Sequence, residues 1–543
     1  MIGIDLGTTH SLVSVWKDEQ PTLIQNSDGA FLTPSIVGCD ASGQFLIGKN
    51  AASCEHSIAN FKRFMGTEKT FHLGGKSFRP EELSALVIKS LVQDAERFLG
   101  CKIEEAVISV PAYFNNTQRN ATRLAGQLAG LKVERLINEP TAAALAYGIH
   151  DKDKETKFLI FDLGGGTFDV SVVETFSGII EVRSSAGDNY LGGEDFSNAL
   201  EMYVRAQLPD GCDVDARAIH AIKHDLSSKE TVRYDFGGSE IQVTRKAFEA
   251  QCSPLIERLE GPIAQALSDA RIKPSELDSV ILVGGATRMP MIQSVIARML
   301  GHFPQSAICP DEAVGMGTAV QAGLKERNVD LKDVVVTDVC PFSLGTSVRK
   351  DRISGDGRFL PIIPRNTVIP VSRETTLVPT QKNQTTMLVD VYQGESFNLE
   401  ENIEIGTLVV PIPPGEEGQK GISVRYSYDV NGLLEVFVEV ISTGKQKSLL
   451  IENRDHRLSQ EEIEASLKKL EALKIHPRHK PENQKVLQQL ESLFVFHNDE
   501  VRDEVAEVLS DFSQALESQN DQVIKESRNQ VEEFVKALED SGW

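Results

Sequence analysis

The 543 residues carry 56 basic and 79 acidic side chains, a net charge of −23, which disfavours nucleic acid and anionic lipid surfaces as partners. The length exceeds what a single hydrophobic core supports, so several domains are expected. The absence of a long apolar run and of a charged, then apolar leader argues against a transmembrane helix and a signal peptide, and seven scattered cysteines without a CxxC pair predict free thiols in a reducing, cytoplasmic compartment.

The first 330 residues alternate short apolar strands with helices, a pattern that predicts an α/β domain. Strands are indicated at Ile2–Asp5, Leu12–Trp16, Ala106–Val110, Phe158–Asp162, Phe168–Val173 and Val280–Val283. Apolar residues at helical spacing predict helices over Glu81–Leu99, Thr117–Leu131 and Thr141–Tyr147.

Two glycine-rich turns, Asp5–Thr9 and Asp162–Thr167, each lie between two predicted strands. The same hairpin therefore occurs twice, about 157 positions apart, whereas most phosphate-binding loops lead from a strand into a helix. Glycines let backbone N–H groups approach an anion closely, and carboxylates suit Mg²⁺ that keeps part of its water shell. Two ordinary hairpin turns are the alternative. The matched copies, with a further glycine pair at Gly284–Gly285, favour a clamp for nucleotide phosphates.

The composition and the spacing of apolar residues change twice after residue 330. A short β-branched run, Val334–Thr337, leads into a segment that reads as all-β, with a hairpin predicted at Asn431–Gly432. From residue 456 onward a helical pattern begins with a capping box at Ser459–Glu462 and is interrupted by prolines at 477 and 481. These changes predict a linker, a β domain and a small helical bundle.

The chain resembles the DnaK-type, seventy-kilodalton heat-shock chaperones of the actin–hexokinase–heat-shock ATPase superfamily. The matching stretches are Ile4–Thr9, Val110–Phe114, Ile137–Ala144, Phe161–Asp169, Leu191–Phe196, Leu282–Gly285, Pro310–Val314 and Ser343–Gly345. The short C-terminal end and Lys474–Arg478 are most similar to the HscC branch. The resemblance implies a duplicated, ribonuclease-H-like (actin-like) ATPase domain over 1–330, a linker over 331–339, a peptide-binding β-sandwich over 340–455 and an α-helical lid over 456–543.

That resemblance also implies an ATP-dependent chaperone that binds extended apolar segments of unfolded proteins, with ATP hydrolysis controlling peptide affinity through docking of the linker. The implied cofactors are ATP or ADP, Mg²⁺ and K⁺, the last near Asp5 and Asp169. Mg²⁺ would be held by Asp5, Glu139, Asp162 and Asp169, and the catalytic residues would be Lys62, Glu139, Asp162, Thr167 and Asp169. Nucleotide contacts are implied at Gly7, Thr8, Thr9, Gly164, Gly165, Gly166, Gly193, Glu194, Lys223, Ser227, Gly284, Gly285, Arg288 and Asp311.

Further implied residues connect the nucleotide site with partners. Pro111, Arg119 and Asp338 match an allosteric relay, and Arg135, Asn138 and Thr141 match docking positions for a J-domain co-chaperone. Peptide-binding positions are implied at Phe342, Thr346, Met387 and Val389, with Arg349 and Thr380 near an arch over the peptide. A nucleotide-exchange factor is a further possible partner, no nucleic acid or membrane is expected, and a monomer is predicted.

The sequence departs from the family at the nucleoside end of the site, because His220 stands where an acidic residue is usual. The predicted peptide pocket is also more polar at Thr346, which suggests a narrow client range. Alternatives are therefore a specialised or regulatory chaperone-like ATPase, a metabolite kinase on the same fold, an actin-like filament protein, or an escort that binds ATP without useful turnover. The β module after residue 340 disfavours the kinase and the filament.

Overall fold

The structure is a computed structural model. It describes residues 1–40, 43–148, 155–176, 178–209, 212, 214–301, 308–331, 334–349, 357–415, 421–432, 434–451, 483, 486–487, 489–490, 493–494, 500–517 and 521–540. The described elements form an α/β unit of two lobes, a linking strand, a β-sandwich and a helical pair. No helix within these ranges is long and apolar enough to cross a membrane.

The first lobe is built on a mixed sheet in which β1 lies between parallel β10 and antiparallel β2. Its elements are β1 (Ile2–Asp5), β2 (His10–Lys17), β3 (Gln20–Ile24), β4 (Thr33–Pro34), β5 (Val37–Cys39), β6 (Phe45–Ile47), α1 (Lys49–Ala52), β7 (His56–Ile58), β8 (Phe71–Leu73), β9 (Lys76–Phe78), α2 (Pro80–Leu99), β10 (Glu105–Val110), α3 (Asn116–Leu128), β11 (Lys132–Asn138) and α4 (Glu139–Gly148). The strand order is β11-β10-β1-β2-β3, with β4 paired to β2. A 3₁₀ turn at Phe61–Phe64 borders the lobe's nucleotide-facing end.

The second lobe repeats this plan, with β12 between parallel β17 and antiparallel β13. Its elements are β12 (Thr156–Leu163), β13 (Phe168–Phe176), β14 (Ile179–Asp188), α5 (Gly193–Arg205), α6 (Ala216–Ser228), β15 (Thr231–Phe236), β16 (Ser239–Thr244), α7 (Arg245–Gln251), α8 (Ser253–Ala270), β17 (Ser279–Val283), α9 (Pro290–Leu300) and α10 (Ala313–Lys325). The repeated hairpin seen in the sequence is thus β1–β2 in one lobe and β12–β13 in the other.

Helices α4 and α10 join the lobes at their base. A side chain at Gly317 would collide with the carbonyl oxygen of Ala142, so the absence of a Cβ permits the two helices to approach this closely. Ser14 on β2 donates to the carbonyl of Gly315 at 2.7 Å, which ties α10 to the first sheet. The packing of α10 against α4 and the first sheet is therefore close.

The C-terminal part begins with β18 (Val335–Val339), which continues the second lobe's sheet. The sandwich strands are β19 (Leu344–Arg349), β20 (Gly357–Ile363), β21 (Val368–Ile369), β22 (Val371–Leu377), β23 (Thr386–Gln393), β24 (Ile403–Pro411), β25 (Ile422–Tyr428), β26 (Leu434–Val440) and β27 (Lys445–Ile451). All of them except β21, which pairs with β18, form two four-stranded sheets, β20-β19-β23-β24 and β22-β25-β26-β27, around one apolar core. Helices α11 (Glu500–Glu517) and α12 (Asp521–Asp540) pack together through a small core of their own.

The sequence-predicted strands and helices of the α/β part are confirmed, because each lies within or overlaps an observed element. The Asn431–Gly432 hairpin is confirmed between β25 and β26, where Gly432 takes a left-handed φ of 79°. The capping box at 459–462, the prolines at 477 and 481 and the segment 474–478 lie outside the described residues. All seven cysteines are free thiols.

Tyr426 provides a test of the sandwich core. Its ring is fully buried and its hydroxyl donates to the carbonyl of Gly345 at 3.0 Å, joining β25 to β19 in the opposite sheet. Tyr426→Phe leaves that carbonyl without its donor, so we expect a loss of about 1–3 kcal/mol of stability and a melting temperature of the sandwich transition lower by a few degrees in calorimetry. Tyr392→Phe, at a half-buried tyrosine of β23, is the control; equal melting of both variants would contradict the assignment.

Candidate nucleotide site

The turns of the two hairpins touch each other. A side chain at Gly165 would run into the Thr9 side chain, and one at Gly166 would lie 2.9 Å from Cγ2 of Thr8, so the bare glycine backbone of one turn lies against the threonines of the other. Between and beside the turns opens a cleft of about 1150 Å³. Backbone N–H groups and hydroxyls along such turns suit an anionic ligand.

Strand register gathers carboxylates at the bottom of this cleft. Asp162 on β12 is directly opposite Asp169 on β13. Asp5, at the end of β1, accepts a hydrogen bond of 2.7 Å from the Ser109 hydroxyl, and Asp169 accepts one of 3.2 Å from the backbone N–H of Tyr113. Both donors come from β10 and the turn after it, so the first lobe orients acids of both hairpins.

Among the residues that the structure describes, one lysine lines the cleft beside these acids. Lys62 lies in the 3₁₀ turn at Phe61–Phe64, is buried, and donates to Oε1 of Glu139 at 2.8 Å. Its ammonium also lies 5.6 Å from the centre of the Phe114 ring. Glu139 opens α4, so the ion pair joins the 3₁₀ turn to the helix at the base of the cleft. A buried ammonium held in this way is positioned to contact a phosphate in the cleft.

The acids fit a hydrated divalent cation. Oδ2 of Asp162 and Oδ2 of Asp169 are buried without a hydrogen-bond partner. Burial, reinforced by the charge of Glu139, raises the pKa of Asp5 and of Asp169 to about 7 and raises the pKa of Asp162 well above its ordinary value. Mg²⁺ that keeps several waters needs only one or two such carboxylates as direct or water-mediated partners.

The other end of the cleft is lined by groups that suit a nucleoside. Lys223 on α6 donates to the carbonyl of Gly193 at 2.7 Å and to the Ser197 hydroxyl at 2.6 Å. Burial lowers the pKa of Lys223. Arg288 makes a two-nitrogen contact with Oδ2 of Asp311, at 3.1 and 2.7 Å. The flat guanidinium at the cleft wall is suited to contact a base.

The structure brings together most of the residues implied for the nucleotide. The cleft is lined by Asp5, Gly7, Thr8, Thr9, Lys62, Glu139, Asp162, Gly164, Gly165, Thr167, Gly193, Glu194, Lys223, Ser227, Gly284, Gly285, Arg288 and Asp311. Gly166 and Asp169 do not line it. Gly166 lies against Thr8, and Asp169 lies beside Asp162 on the neighbouring strand.

The residues implied for the relay meet at the linker. Arg119 on α3 is buried and donates to the carbonyls of Ala112 and Phe114, both at 3.0 Å, and to Oδ1 of Asn138. Oδ2 of Asp338 accepts from Asn138 at 2.9 Å and from Thr141 at 2.8 Å. Pro111 directly follows β10 and is buried.

Two residues implied for a co-chaperone lie beneath the linker strand, and their role in docking stays a prediction. Asn138 and Thr141 are buried beneath Asp338 and do not form an open surface in this structure, because the linker strand covers them. Arg135 is half-buried and donates to Gln321 at 2.7 Å, so of the three it is the one that retains access to solvent.

The residues implied for the peptide pocket do not all lie together. Thr346, Met387 and Val389 are buried in the sandwich on the neighbouring strands β19 and β23. Phe342 lies apart from them, because its ring packs against Tyr113 of the α/β part, with centroids 4.3 Å apart; its role in peptide binding stays a prediction. Phe342 precedes the first sandwich strand and is therefore held at the interface between domains. Thr380 is exposed, and the Arg349 side chain lies outside the described part.

Sequence reasoning missed a polar contact across the domain interface. Nε and Nη2 of Arg365 bind the two carboxylate oxygens of Asp269 on α8, at 3.0 and 2.9 Å, and Asn366 donates to the same carboxylate at 2.9 Å. The Ser185 N–H donates to Asn366 at 3.0 Å. No local pattern marks these residues, since they are about a hundred positions apart and each reads as an ordinary surface residue.

Lys62 provides the first test of this site. Lys62→Met keeps the bulk but removes the ammonium, so we expect hydrolysis of ATP, the activity that the family resemblance implies, to fall at least about a hundredfold in single turnover, while ADP still binds. Lys69→Met, at an exposed lysine over the Phe64 ring, is the control and should retain activity. Unchanged hydrolysis in Lys62→Met would refute a role for this ammonium.

The acids provide a second test. Without metal, Asp5 and Asp169 bind protons up to a pH near 7, so a cation must displace those protons. The affinity of the protein–ADP complex for Mg²⁺ should therefore weaken as the pH falls from 8 to 6, by up to about tenfold per pH unit for each proton displaced. Calorimetric titration measures this slope. Asp169→Asn should make it shallower, and a slope of zero in the unsubstituted protein would contradict the proton linkage.

Comparison with known proteins agrees with this geometry. The family model described as Hsp70 protein matches residues 1–72 and 68–541. The chain is 37% identical to the chaperone protein DnaK of Thermosipho africanus and 36% identical to that of Thermotoga neapolitana, in each case over 100% of this chain and 92% of the relative. It is 36% identical to the chaperone protein DnaK of Mycoplasmopsis pulmonis, over 99% of this chain and 90% of the relative. These matches leave the similarity to the HscC branch a prediction. The chain belongs to the Hsp70 family of ATP-hydrolysing chaperones.

Proposed function

We propose that nucleotide in the cleft controls the affinity of the β-sandwich for extended peptide through the docked strand β18. The observation that carries this proposal is one continuous sheet, β17-β12-β13-β14-β18-β21, that runs from the α/β part into the sandwich. Nucleotide-dependent formation and loss of this sheet would couple the two domains.

The linker sequence suits addition to a sheet edge. Val335, Val336 and Thr337 pair in parallel with Ile179–Glu181 on β14, and Asp338 pairs with Ile369 on β21. β-branched residues favour the extended backbone that this pairing needs. The strand therefore has a hydrogen-bonded neighbour in each domain, so its release would separate them.

The first turn of α4 can carry the signal from the cleft to this strand. Glu139 binds Lys62 in the cleft, whereas Asn138 and Thr141, immediately beside it in the chain, bind Asp338. Arg119 braces Asn138 from α3. When a phosphate binds or leaves, the electrostatic surroundings of Glu139 change. Because the residues that bind Asp338 lie within one helical turn of Glu139, this change can alter the hydrogen bonds of Asp338.

In the cleft, these residues position the phosphates and balance charge during phosphoryl transfer. Asp5 and Asp162 would hold the waters of Mg²⁺, which supplies positive charge on the phosphate oxygens. Lys62 orients the attacking water or the terminal phosphate, and Thr167 donates its hydroxyl to the same group. K⁺ would bind near Asp5 and Asp169.

The sandwich would bind peptide in extended form. Thr346, Met387 and Val389 share neighbouring strands at its core, and the Thr346 hydroxyl would make the pocket less favourable for purely apolar side chains than a fully aliphatic one. We propose that a J-domain protein stimulates hydrolysis through Arg135 and the surface around it. A nucleotide-exchange factor, a monomeric state and a cytoplasmic location complete the proposal; the free thiols suit a reducing compartment.

A substitution at Arg365 tests the coupling between the α/β part and the sandwich without changing the nucleotide site. Arg365→Ala removes the two-nitrogen contact with Asp269, which should shift docking by on the order of 1 kcal/mol, or about fivefold. We expect ATP to accelerate release of a fluorescent peptide less than in the unsubstituted protein, with peptide affinity in ADP unchanged.

Arg373→Ala, at an exposed arginine of β22, is the matched control, because it changes the same charge on the sandwich away from Asp269. Cleavage of the linker by a protease should report the same shift, since the bond is protected only while β18 is paired. If ATP speeds peptide release equally in Arg365→Ala and the unsubstituted protein, this contact does not support docking.

A further inference from the structure

His220 lies in the wall of the nucleotide cleft. It is on α6, one helical turn before Lys223, and its side chain is 43% exposed and lines the nucleoside end. Nε2 is 3.6 Å from Oε1 of Glu194 on α5, and Nδ1 is 3.5 Å from the Ser197 hydroxyl. Both distances are long for a hydrogen bond, so the ring is close to these groups without being tightly held.

Glu194 faces the same end of the cleft with an incompletely used carboxylate. Among the residues that the structure describes, His220 is the only basic side chain within 4 Å of it. Ser197, in contrast, is already engaged, because it accepts from Lys223 and donates to the carbonyl of Gly193 at 3.2 Å. Glu194 is thus the acceptor best able to receive hydroxyl donors of a bound sugar.

We propose that His220 is a specificity-determining residue, which adjusts how strongly Glu194 recognises the sugar hydroxyls of the bound nucleotide. When its ring is neutral, the Glu194 carboxylate is available to accept hydrogen bonds from the ribose. When the ring is charged, it draws the same carboxylate into an ion pair and competes with the sugar. The inference rests on nucleotide binding in this cleft.

The surroundings of His220 set the direction of this change. Burial lowers its pKa, the charge of Glu194 opposes that effect, and Lys223 adds to it, so the ring takes up a proton only at a pH below its ordinary range. His10, at the start of β2 in the first lobe, is the other titratable group facing it, and Asp311 faces His10 in turn. Preference for hydroxyl-bearing nucleotides should accordingly fall as the pH falls.

The experiment compares the affinities of the full chain for ADP and for 2′,3′-dideoxy-ADP at pH 8 and pH 5. The two nucleotides carry the same diphosphate, so the ratio of their dissociation constants cancels the titration of Asp5 and Asp169. We expect the preference for ADP to fall about threefold to tenfold at pH 5, the range that one typical hydrogen bond supports. ADP binding at pH 8 independently confirms that the cleft takes nucleotide.

His220→Gln keeps a polar side chain that does not titrate, so its ratio should be the same at both pH values. Glu194→Gln serves as a second variant and should also lose the pH dependence, while His56→Gln, on β7 outside the cleft, should keep it. An unsubstituted protein with a constant ratio would overturn the inference. So would His220→Gln with the original pH dependence, particularly if His10→Gln removed it.

Discussion

The structure depends on how four carboxylates, all but Asp5 buried, are accommodated beside one ammonium. Asp5, Glu139, Asp162 and Asp169 lie near the two hairpin turns, and among the described residues Lys62 forms an ion pair with Glu139. Burial and, after it, the charge of Glu139 raise the pKa of Asp5 and Asp169, because lost solvation and a neighbouring like charge both disfavour the ionised form. A site with this charge is ready to take a hydrated divalent cation with a polyphosphate, since the cation relieves the repulsion and also neutralises the phosphates.

The same constraint explains why the site can communicate with the rest of the chain. Glu139 is both part of the charge cluster and the first residue of α4, whose opening turn also binds Asp338 of the linker. The α4–α10 crossing below is packed too closely to deform, as the contact of Gly317 with Ala142 shows. In the proposed function, a change at Glu139 would therefore act on the hydrogen bonds to β18, where a strand can pair or separate as a unit.

The interface between the α/β part and the sandwich combines three different interactions. The backbone of β18 pairs with β14, the rings of Tyr113 and Phe342 form an apolar contact, and Arg365 forms a salt bridge with Asp269. Polar contacts of this kind can be exchanged for water when the domains part. An interface with a mainly aliphatic core would be harder to separate, so its composition suits a reversible association.

The sequence by itself determined the repeated hairpin, the turn glycines, the β-rich second half and, through its motifs, the family. These features are local: alternation, turn residues and spacing reflect the backbone geometry of a few neighbouring residues. Only the tertiary structure decided that Asn138 and Thr141 lie under the linker, that the Phe342 ring contacts Tyr113, and that Arg365 binds Asp269. Lys62 likewise carries no local signal. Its role, like theirs, arises from burial and charge contributed by residues distant in the chain, which no pattern along the chain encodes.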